Sequence, residues 1–297
     1  MEKNKIKLGI APIGWTNDDM PDLGSEISFD RCITEMSEAG YVGCEVGNKY
    51  PTNPSVLLEK LKLLNLQIAN RWFSSFILTK PFNEVEKDFR VSCEFLKAVG
   101  AKIIGVSEQS YSVQGQLNTP IFGNKYVLND EEWNILCVGM SKLGYIAKEY
   151  GITLTYHHHM GTVVQTEKEI DKFMNLCDSN SVYLLYDCGH LAYCKEDYIG
   201  VLTKYIDRIR HIHLKDVRIK EIDRVEKEKL SFLQGVRNGT FTVPGDGDSD
   251  FDKIFEIIIG SNYQGWLIVE AEQDPAKANP FDYAVKARKF INKKLDI

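Results

Sequence analysis

Residues 148–159 read KEYGITLTYHHH and join the end of a helix to a short strand through a single glycine. The run before them, 130–150, has helical periodicity, and Gly151 suits the position just after a helix C-terminus. The residues that follow, 152–157, are rich in β-branched and aromatic side chains, as expected of a strand. This helix, glycine and strand unit recurs along the chain, and polar residues follow several of the strands.

Eight strand-like runs alternate with helical segments from the first part of the chain to the last. The connections are too long for hairpins, so the strands are expected to be parallel. Eight such units predict an α/β fold, a closed (β/α)₈ TIM barrel. An open doubly wound sheet is the structural alternative, because periodicity alone does not report closure. The predicted strands are 8–13, 42–46, 67–73, 102–107, 152–157, 182–187, 209–214 and 266–270.

Nothing in the chain resembles a linker between domains. Low-complexity segments and Pro- or Ser-rich stretches are absent, so we predict one TIM-barrel domain over residues 1–297. The segment from about 217 to 250, between the seventh and eighth strands, is long enough to add a small cap.

The composition narrows the classes of partner. Hydrophobic residues make up 43% of the chain, charged residues 26%, and the formal net charge is −6, which argues against nucleic acid or an anionic membrane. Seven cysteines without a CxxC motif favour reduced thiols, and the charged N-terminus lacks a signal-peptide pattern. We therefore expect a cytoplasmic protein whose partner is a small molecule, and we leave a homo-oligomer open.

The histidines are confined to the ends of three predicted strands, which meet at the C-terminal mouth of a barrel. Two carboxylates, Asp187 and Glu270, end the sixth and eighth strands, on either side of the seventh. A mixed set of imidazole and carboxylate ligands suits Mn²⁺, Co²⁺, Fe²⁺ or Zn²⁺ better than Ca²⁺. The six histidines are His157, His158, His159, His190, His211 and His213.

Strand alternation indicates which of these side chains point into the barrel. His211 and His213 share a face with Lys215, and His213 is the better ligand candidate because it lies nearer the mouth. On the fifth strand, alternation directs His157 and His159 inward and His158 outward.

The motifs at these strand ends resemble those of the xylose isomerase-like TIM-barrel superfamily. They are Asp187-Cys188-Gly189-His190, His211-Ile212-His213 and Glu270. Longer segments spread over the whole chain, such as 9–19, 45–51, 156–162, 243–248 and 270–275, look like those of the inosose dehydratases. The resemblance implies Asp187, His213 and Glu270 as metal ligands. A fourth ligand is usually Glu, and His157 stands at its position here.

The resemblance also implies an activity, that of a hydro-lyase of myo-inositol catabolism. The expected reaction removes water from 2-keto-myo-inositol (scyllo-inosose) to give 3D-3,5/4-trihydroxycyclohexane-1,2-dione, with Mn²⁺ or Co²⁺ as the metal. Glutathione enters as a second cofactor to test, because thiol dependence is associated with this family. The expected catalytic residues are His159, Lys215, Glu45 and Glu108, and the expected substrate-binding residues are Trp15, Asn17, Asn48, Lys49, Trp72 and Gln273.

Three other functions are alternatives to dehydration. A sugar or inosose epimerase or isomerase is the nearest alternative, because it also abstracts a proton next to a carbonyl. A metal-dependent endonuclease would need a basic groove, and a sugar sensor would bind without turnover. Nucleotide binding has no support, because no GxGxxG follows the first strand and the 245–248 run lacks the P-loop Lys-Ser/Thr.

Overall fold

Eight parallel strands close into a barrel in the computed structural model, which describes residues 6–296. Going around it, each strand pairs with its neighbours in the chain, and the last closes on the first. The prediction of a (β/α)₈ barrel is therefore confirmed, and the open sheet is excluded. The barrel strands are β1 Ile6–Ile10, β2 Gly43–Val46, β3 Gln67–Ser75, β4 Ile103–Glu108, β5 Thr153–His157, β6 Val182–Asp187, β7 Ile209–Leu214 and, after the short strands β8 Asp216–Val217 and β9 Phe241–Thr242, β10 Gly265–Val269.

Helices fill the connections and begin and end where the local sequence predicts. Ser28 caps the first helix by accepting a hydrogen bond from the Arg31 amide, and Asn129 forms a capping box with Glu132. Gly151 has a φ of 71°, the left-handed conformation that glycine adopts after a helix. The helices are α1 Phe29–Glu38, α2 Pro54–Leu63, α3 Phe82–Ala98, α4 Asp130–Glu149, α5 Glu167–Leu176, α6 Cys188–Tyr193, α7 Tyr198–Tyr205, α8 Ile219–Lys227, α9 Phe232–Asn238, α10 Phe251–Gly260 and α11 Pro280–Leu295.

No helix within residues 6–296 is long and apolar enough to span a membrane. The N-terminal residues on which the localisation prediction partly depends, 1–5, lie outside the described residues.

The apolar core lies mainly between the strands and the helices. Leu154, Leu184, Ile212 and Leu267 are fully buried there. A much smaller apolar cluster, Ala11, Ala69 and Ile268 with Trp266 packed against it, involves the other face of the strands. The polar strand ends therefore have apolar packing around them and beneath them.

A cap, residues 216–242, covers one side of the mouth. Its strands β8 and β9 pair antiparallel, and α8 and α9 pack in a second apolar cluster that includes Phe232 and Phe241. The Asp216 carboxylate accepts hydrogen bonds from the amides of Gly245, Gly247 and Ser249. The glycine-rich rim loop at 245–248 is therefore bound by a carboxylate of the protein itself.

The contact between α4 and the loop before β6 gives a test of barrel packing. A Cβ at Gly144, inside α4, would overlap the Ser181 carbonyl oxygen, whereas a Cβ at Gly260, the last residue of α10, meets nothing. We expect Gly144→Ala to lower the free energy of unfolding by about 1–3 kcal/mol, as overpacking does. Gly260→Ala is the matched control and should be neutral or stabilising. Equal urea midpoints for the two variants would contradict this packing.

Candidate functional site

The barrel register brings the polar strand ends together at the mouth. Asp187 on β6 is in register with His213 on β7, and His213 is in register with Ile268 on β10, two residues before Glu270. His157 ends β5, the strand on the other side of β6. These four side chains, His157, Asp187, His213 and Glu270, are called the ligand cluster below.

The donor atoms of the ligand cluster belong to two overlapping groups, His157 with Asp187 and His213, and Asp187 with His190 and Glu270, and the atoms of each group lie within 4.8 Å of one another. Asp187 Oδ2 lies 3.4 Å from His157 Nε2 and 3.4 Å from His213 Nδ1. His213 Nδ1 lies 2.5 Å from Glu270 Oε2. Buried carboxylates and imidazoles this close together fit a shared cation, and mixed nitrogen and oxygen donors suit a borderline divalent metal. The donor set therefore fits the metal that the sequence predicts.

Asp187 has two different roles, one for each carboxylate oxygen. Oδ1 accepts hydrogen bonds from the amides of Gly189 and His190 and so caps α6, whereas Oδ2 faces the ligand cluster. Burial works to raise the pKa of Asp187, but Lys215 and His190 outweigh it and hold the pKa well below the usual value. The carboxylate is therefore ionised and fixed in orientation.

Glu45 holds two histidines of β7 from across the barrel. Its Oε1 lies 2.7 Å from His211 Nε2 and 3.0 Å from His213 Nε2. Because an ionised carboxylate only accepts hydrogen bonds, His213 donates from Nε2, and Nδ1 faces the ligand cluster. Burial disfavours the charged imidazole, but Glu270 and Glu45 outweigh it and raise the pKa of His213 well above its usual value. A metal ion would compete with that proton.

Lys215 is completely buried beside the ligand cluster, just past the end of β7. Its Nζ lies 2.7 Å from Glu270 and 3.0 Å from Glu272, and it donates to His190 Nε2 at 2.9 Å. Burial works to lower the pKa of Lys215, but Asp187, Glu270 and Glu272 raise it above the usual value. Lys215 therefore remains an ammonium, does not line the cavity, and acts as a counter-ion rather than as a base.

His159 is a neutral imidazole beside the ligand cluster. Burial, followed by His157 and Lys215, holds the pKa of His159 well below its usual value. Its Nδ1 lies 2.8 Å from the Met160 carbonyl oxygen, which can only accept, so Nδ1 carries the hydrogen and Nε2 has the lone pair. Trp72 packs edge-on against His157 and His159.

One cavity of about 180 Å³ opens onto these groups. This volume is below the roughly 300–1,000 Å³ of pockets for drug-sized ligands, so the cavity suits a small molecule. Among the described residues, neither Lys nor Arg lines it. The lining residues are Ala11, Pro12, Ile13, Asp18, Asp19, Glu45, Val46, Gly47, Trp72, Ser74, Gln109, Gln114, His157, His159, His213, Glu270 and Glu272.

Of the predicted catalytic residues, His159 and Glu45 line the cavity, and Glu108 does not. The Glu108 carboxylate instead accepts hydrogen bonds from the Ser75 hydroxyl and the amides of Ile77 and Ser110. Its side chain therefore stabilises the turn after β3 and the start of the loop after β4, and its catalytic role stays a prediction.

Of the predicted substrate-binding residues, Trp72 alone lines this cavity, and the roles of the others stay predictions. Trp15 is buried and donates to Glu35. The side-chain oxygen of Asn17, Oδ1, accepts hydrogen bonds from the backbone amides of Asp19 and Met20 in its own loop.

The remaining three also have structural surroundings rather than cavity contacts. Lys49 donates to three carbonyl oxygens of the β1–α1 loop, and Asn48 is exposed beside it. Gln273 is buried and donates to the Thr242 hydroxyl at the edge of the cap. These residues shape loops whose form could not be read from the sequence.

Glu272 is the main cavity residue that the sequence reasoning missed. It follows Glu270 by two residues, so strand alternation continued past the end of the eighth strand would have placed it on the same face. Burial raises the pKa of Glu272 to about 7, against the opposing effect of Lys215. Asp18, Asp19 and Gln114 were also missed, because they lie on long loops without a periodic signal.

Comparisons with known proteins agree with the fold. The family described as xylose isomerase-like TIM barrel matches residues 33–294. The chain is 59% identical over 297 residues to inosose dehydratase of Clostridium perfringens (strain 13 / Type A), with 100% of each chain covered. It is 56% identical over 290 residues to inosose dehydratase of Geobacillus thermodenitrificans (strain NG80-2), covering 98% of this chain and 97% of the relative.

Solved structures share the fold at low sequence identity. The IOLI protein with a bound zinc atom is 16% identical, with a TM-score of 0.72 over 97% of this chain and 98% of that chain. The probable 3-DHS dehydratase AsbF from Bacillus anthracis is 13% identical, with a TM-score of 0.72 over 96% of this chain and 98% of that chain.

The two roles of Asp187 generate a test of the ligand cluster. Asp187→Asn retains an oxygen to cap α6 but loses a charged ligand, so it should fold normally and bind Mn²⁺ roughly tenfold or more weakly. Asp187→Ala also loses the cap and should cost about 1 kcal/mol more in unfolding free energy. Metal content after dialysis and urea unfolding measure the two effects.

Asp197→Asn is the matched control, because Asp197 caps α7 by accepting from the Gly200 amide and lies outside the ligand cluster. It should keep the wild-type metal content. Wild-type metal content in Asp187→Asn would exclude Asp187 as a ligand.

Proposed function

The chain belongs to the inosose dehydratase family of xylose isomerase-like TIM barrels, and on this premise we propose that it removes water from scyllo-inosose to give a trihydroxycyclohexane-1,2-dione. The observation that carries the proposal is identity of 55–59% to inosose dehydratases over essentially the full length of both chains. The protein is therefore a hydro-lyase. We place it in the reducing cytoplasm, which its free thiols favour.

The cavity supports an uncharged polyol ketone as the substrate. Phosphate groups in proteins are bound by Arg, Lys or helix N-termini. None of the described lining residues is Lys or Arg, and five of them are carboxylic acids, namely Asp18, Asp19, Glu45, Glu270 and Glu272. A sugar phosphate would be repelled, whereas the hydroxyls of a neutral ring can donate to these carboxylates.

His157, Asp187, His213 and Glu270 would hold the divalent cation, for which we propose Mn²⁺ or Co²⁺. When bound, such a cation supplies Lewis-acid stabilisation of negative charge on the ketone oxygen. Glu45 keeps His213 oriented for this role through its hydrogen bond to Nε2. We also propose glutathione as a second cofactor, on the family resemblance alone. The yield of dione with and without glutathione tests this.

His159 acts as the base in the proposed reaction. Its Nε2 lone pair accepts the proton from the carbon next to the ketone, which leaves the electron pair as an enolate. Burial and Lys215 hold the pKa of His159 low, so the imidazole is neutral and ready to accept that proton. Trp72 shields this side of the cavity from water with an apolar ring.

Glu272 acts as the acid that assists departure of the β-hydroxyl. It lines the cavity and lies 3.0 Å from the Lys215 ammonium. Its carboxyl proton joins the departing hydroxyl to form water, while the enolate electron pair forms the ring double bond. The resulting enol rearranges to the dione, so the atoms lost by the substrate are those of one water molecule.

Incubation of scyllo-inosose with the purified protein and Mn²⁺ in deuterated buffer tests the reaction type. We expect a product lighter by one water, with the ultraviolet absorption of an enolised dione. Asp187→Asn is the control without an intact ligand cluster and should give little product. If the only product is a ketone that carries deuterium but has not lost water, the protein is an epimerase or isomerase and the proposal is wrong.

Two substitutions separate the proposed base from the proposed acid. His159→Gln should abolish both deuterium uptake and dione formation, because both need proton abstraction. Glu272→Gln should slow dione formation by about 10²-fold while deuterium uptake into the ketone continues. Mass spectrometry follows both products.

Glu131→Gln, an exposed change on α4, is the control and should leave both rates unchanged. Equal loss of uptake and dione formation in Glu272→Gln would show that Glu272 is not the acid.

A further inference from the structure

A polar pair in the cavity has no part in the chemistry derived above. Asp19 comes from the loop between β1 and α1, and Gln114 comes from the loop between β4 and α4. Gln114 Nε2 donates to Asp19 Oδ2 at 3.4 Å. Both residues line the same cavity as His213 and Glu270. A molecule bound at the ligand cluster therefore shares its cavity with this pair.

Gln114 carries an unused hydrogen-bonding group. The side chain is only 9% exposed, and its Oε1 has no hydrogen-bond partner. An unsatisfied buried polar group costs about 1–3 kcal/mol, so such a group in a cavity wall points to a ligand that donates to it. The loop that carries Gln114 is anchored, since the Val113 amide donates to the Gly161 carbonyl oxygen. The amide is thus held in place before a ligand arrives.

Asp19 is positioned by its own loop in a similar way. The side-chain oxygen of Asn17, Oδ1, accepts hydrogen bonds from the backbone amides of Asp19 and Met20, and these bonds fix the turn. Asp18 and Asp19 both line the cavity. An ionised carboxylate only accepts hydrogen bonds, and the Gln114 oxygen also accepts, so this wall recognises donors. Hydroxyl groups meet that requirement, whereas a carboxylate or phosphate on the ligand would be repelled.

We propose that Asp19 and Gln114 bind ring hydroxyls of the substrate that do not react, and so select a neutral polyol ring. The inference rests on the proposed function for the identity of the ring. It adds two specificity residues that contact the substrate without transferring a proton. Each ring hydroxyl donates to the carboxylate or to the Gln114 oxygen, and the Gln114 amide hydrogen that does not bind Asp19 remains available to a hydroxyl oxygen.

Titration calorimetry with scyllo-inositol tests this pair without any turnover. Scyllo-inositol has the ring hydroxyls but no ketone, so its binding does not depend on the dehydration chemistry. Gln114→Leu and Asp19→Asn should each weaken binding about tenfold, the size expected for one hydrogen bond to a charged or buried group. Metal content and thermal midpoint should stay at wild-type values, because neither residue belongs to the ligand cluster or the core.

Matched controls lie on the same two loops outside the cavity. Gln116 donates to the Ser112 carbonyl oxygen, and Asp22 pairs with Arg237 at the surface. Gln116→Leu and Asp22→Asn should bind scyllo-inositol like the wild type. Equal affinities for Gln114→Leu and Gln116→Leu, or no binding by the wild type, overturn the inference. Loss of dione formation with this binding pattern intact overturns the proposed function alone.

Discussion

Negative charge buried at the mouth of the barrel is the constraint on which the rest of the site depends. Asp187, Glu270 and Glu272 surround one buried ammonium, Lys215, at 2.7 to 3.5 Å. One lysine cannot neutralise three ionised carboxylates, and an uncompensated buried ion costs several kcal/mol. The balance is met by a proton on His213, whose pKa is raised, and by partial protonation of Glu272, whose pKa lies at about 7. A divalent cation would replace the proton on His213, so metal affinity and proton affinity compete for the same carboxylates.

Burial is the main cause that keeps two neighbouring histidines neutral, and the Lys215 ammonium adds to it. Lys215 donates to His190 Nε2, and together with burial it lowers the pKa of His190 and of His159. The rings of these two histidines lie close together, with centroids 3.6 Å apart and a tilt of 40° between their planes. Two adjacent imidazolium ions would repel each other, so this contact also favours neutral rings. Gly189 makes room for the lysine, because a Cβ there would overlap its aliphatic chain.

Strand residues of the site could be predicted from the sequence, and loop residues could not. His157, His213 and Glu270 follow from the rule that side-chain direction repeats every two residues along a strand. The position of the Glu45 side chain also depends on a shift in the β2–β3 register between Cys44 and Glu45, an irregularity with no local signal in the sequence. The Glu108 carboxylate binds amides of two loops, an arrangement that strand periodicity does not report. Asp19 and Gln114 meet across 95 residues of sequence, so only the folded loops bring them together.

The barrel alone does not determine the reaction. A dehydratase-like protein, AsbF, and L-ribulose 3-epimerase both align with this chain at TM-scores of 0.70–0.72 and at 13–15% identity. Proton abstraction next to a ketone needs one base and stabilisation of the enolate, and both reaction types share that step. Elimination also needs a proton donor placed at the neighbouring carbon, and the choice between the two outcomes therefore falls on residues beyond the ligand cluster. We propose Glu272 as this proton donor, because it lines the cavity, contacts the buried ammonium and lies outside the ligand cluster.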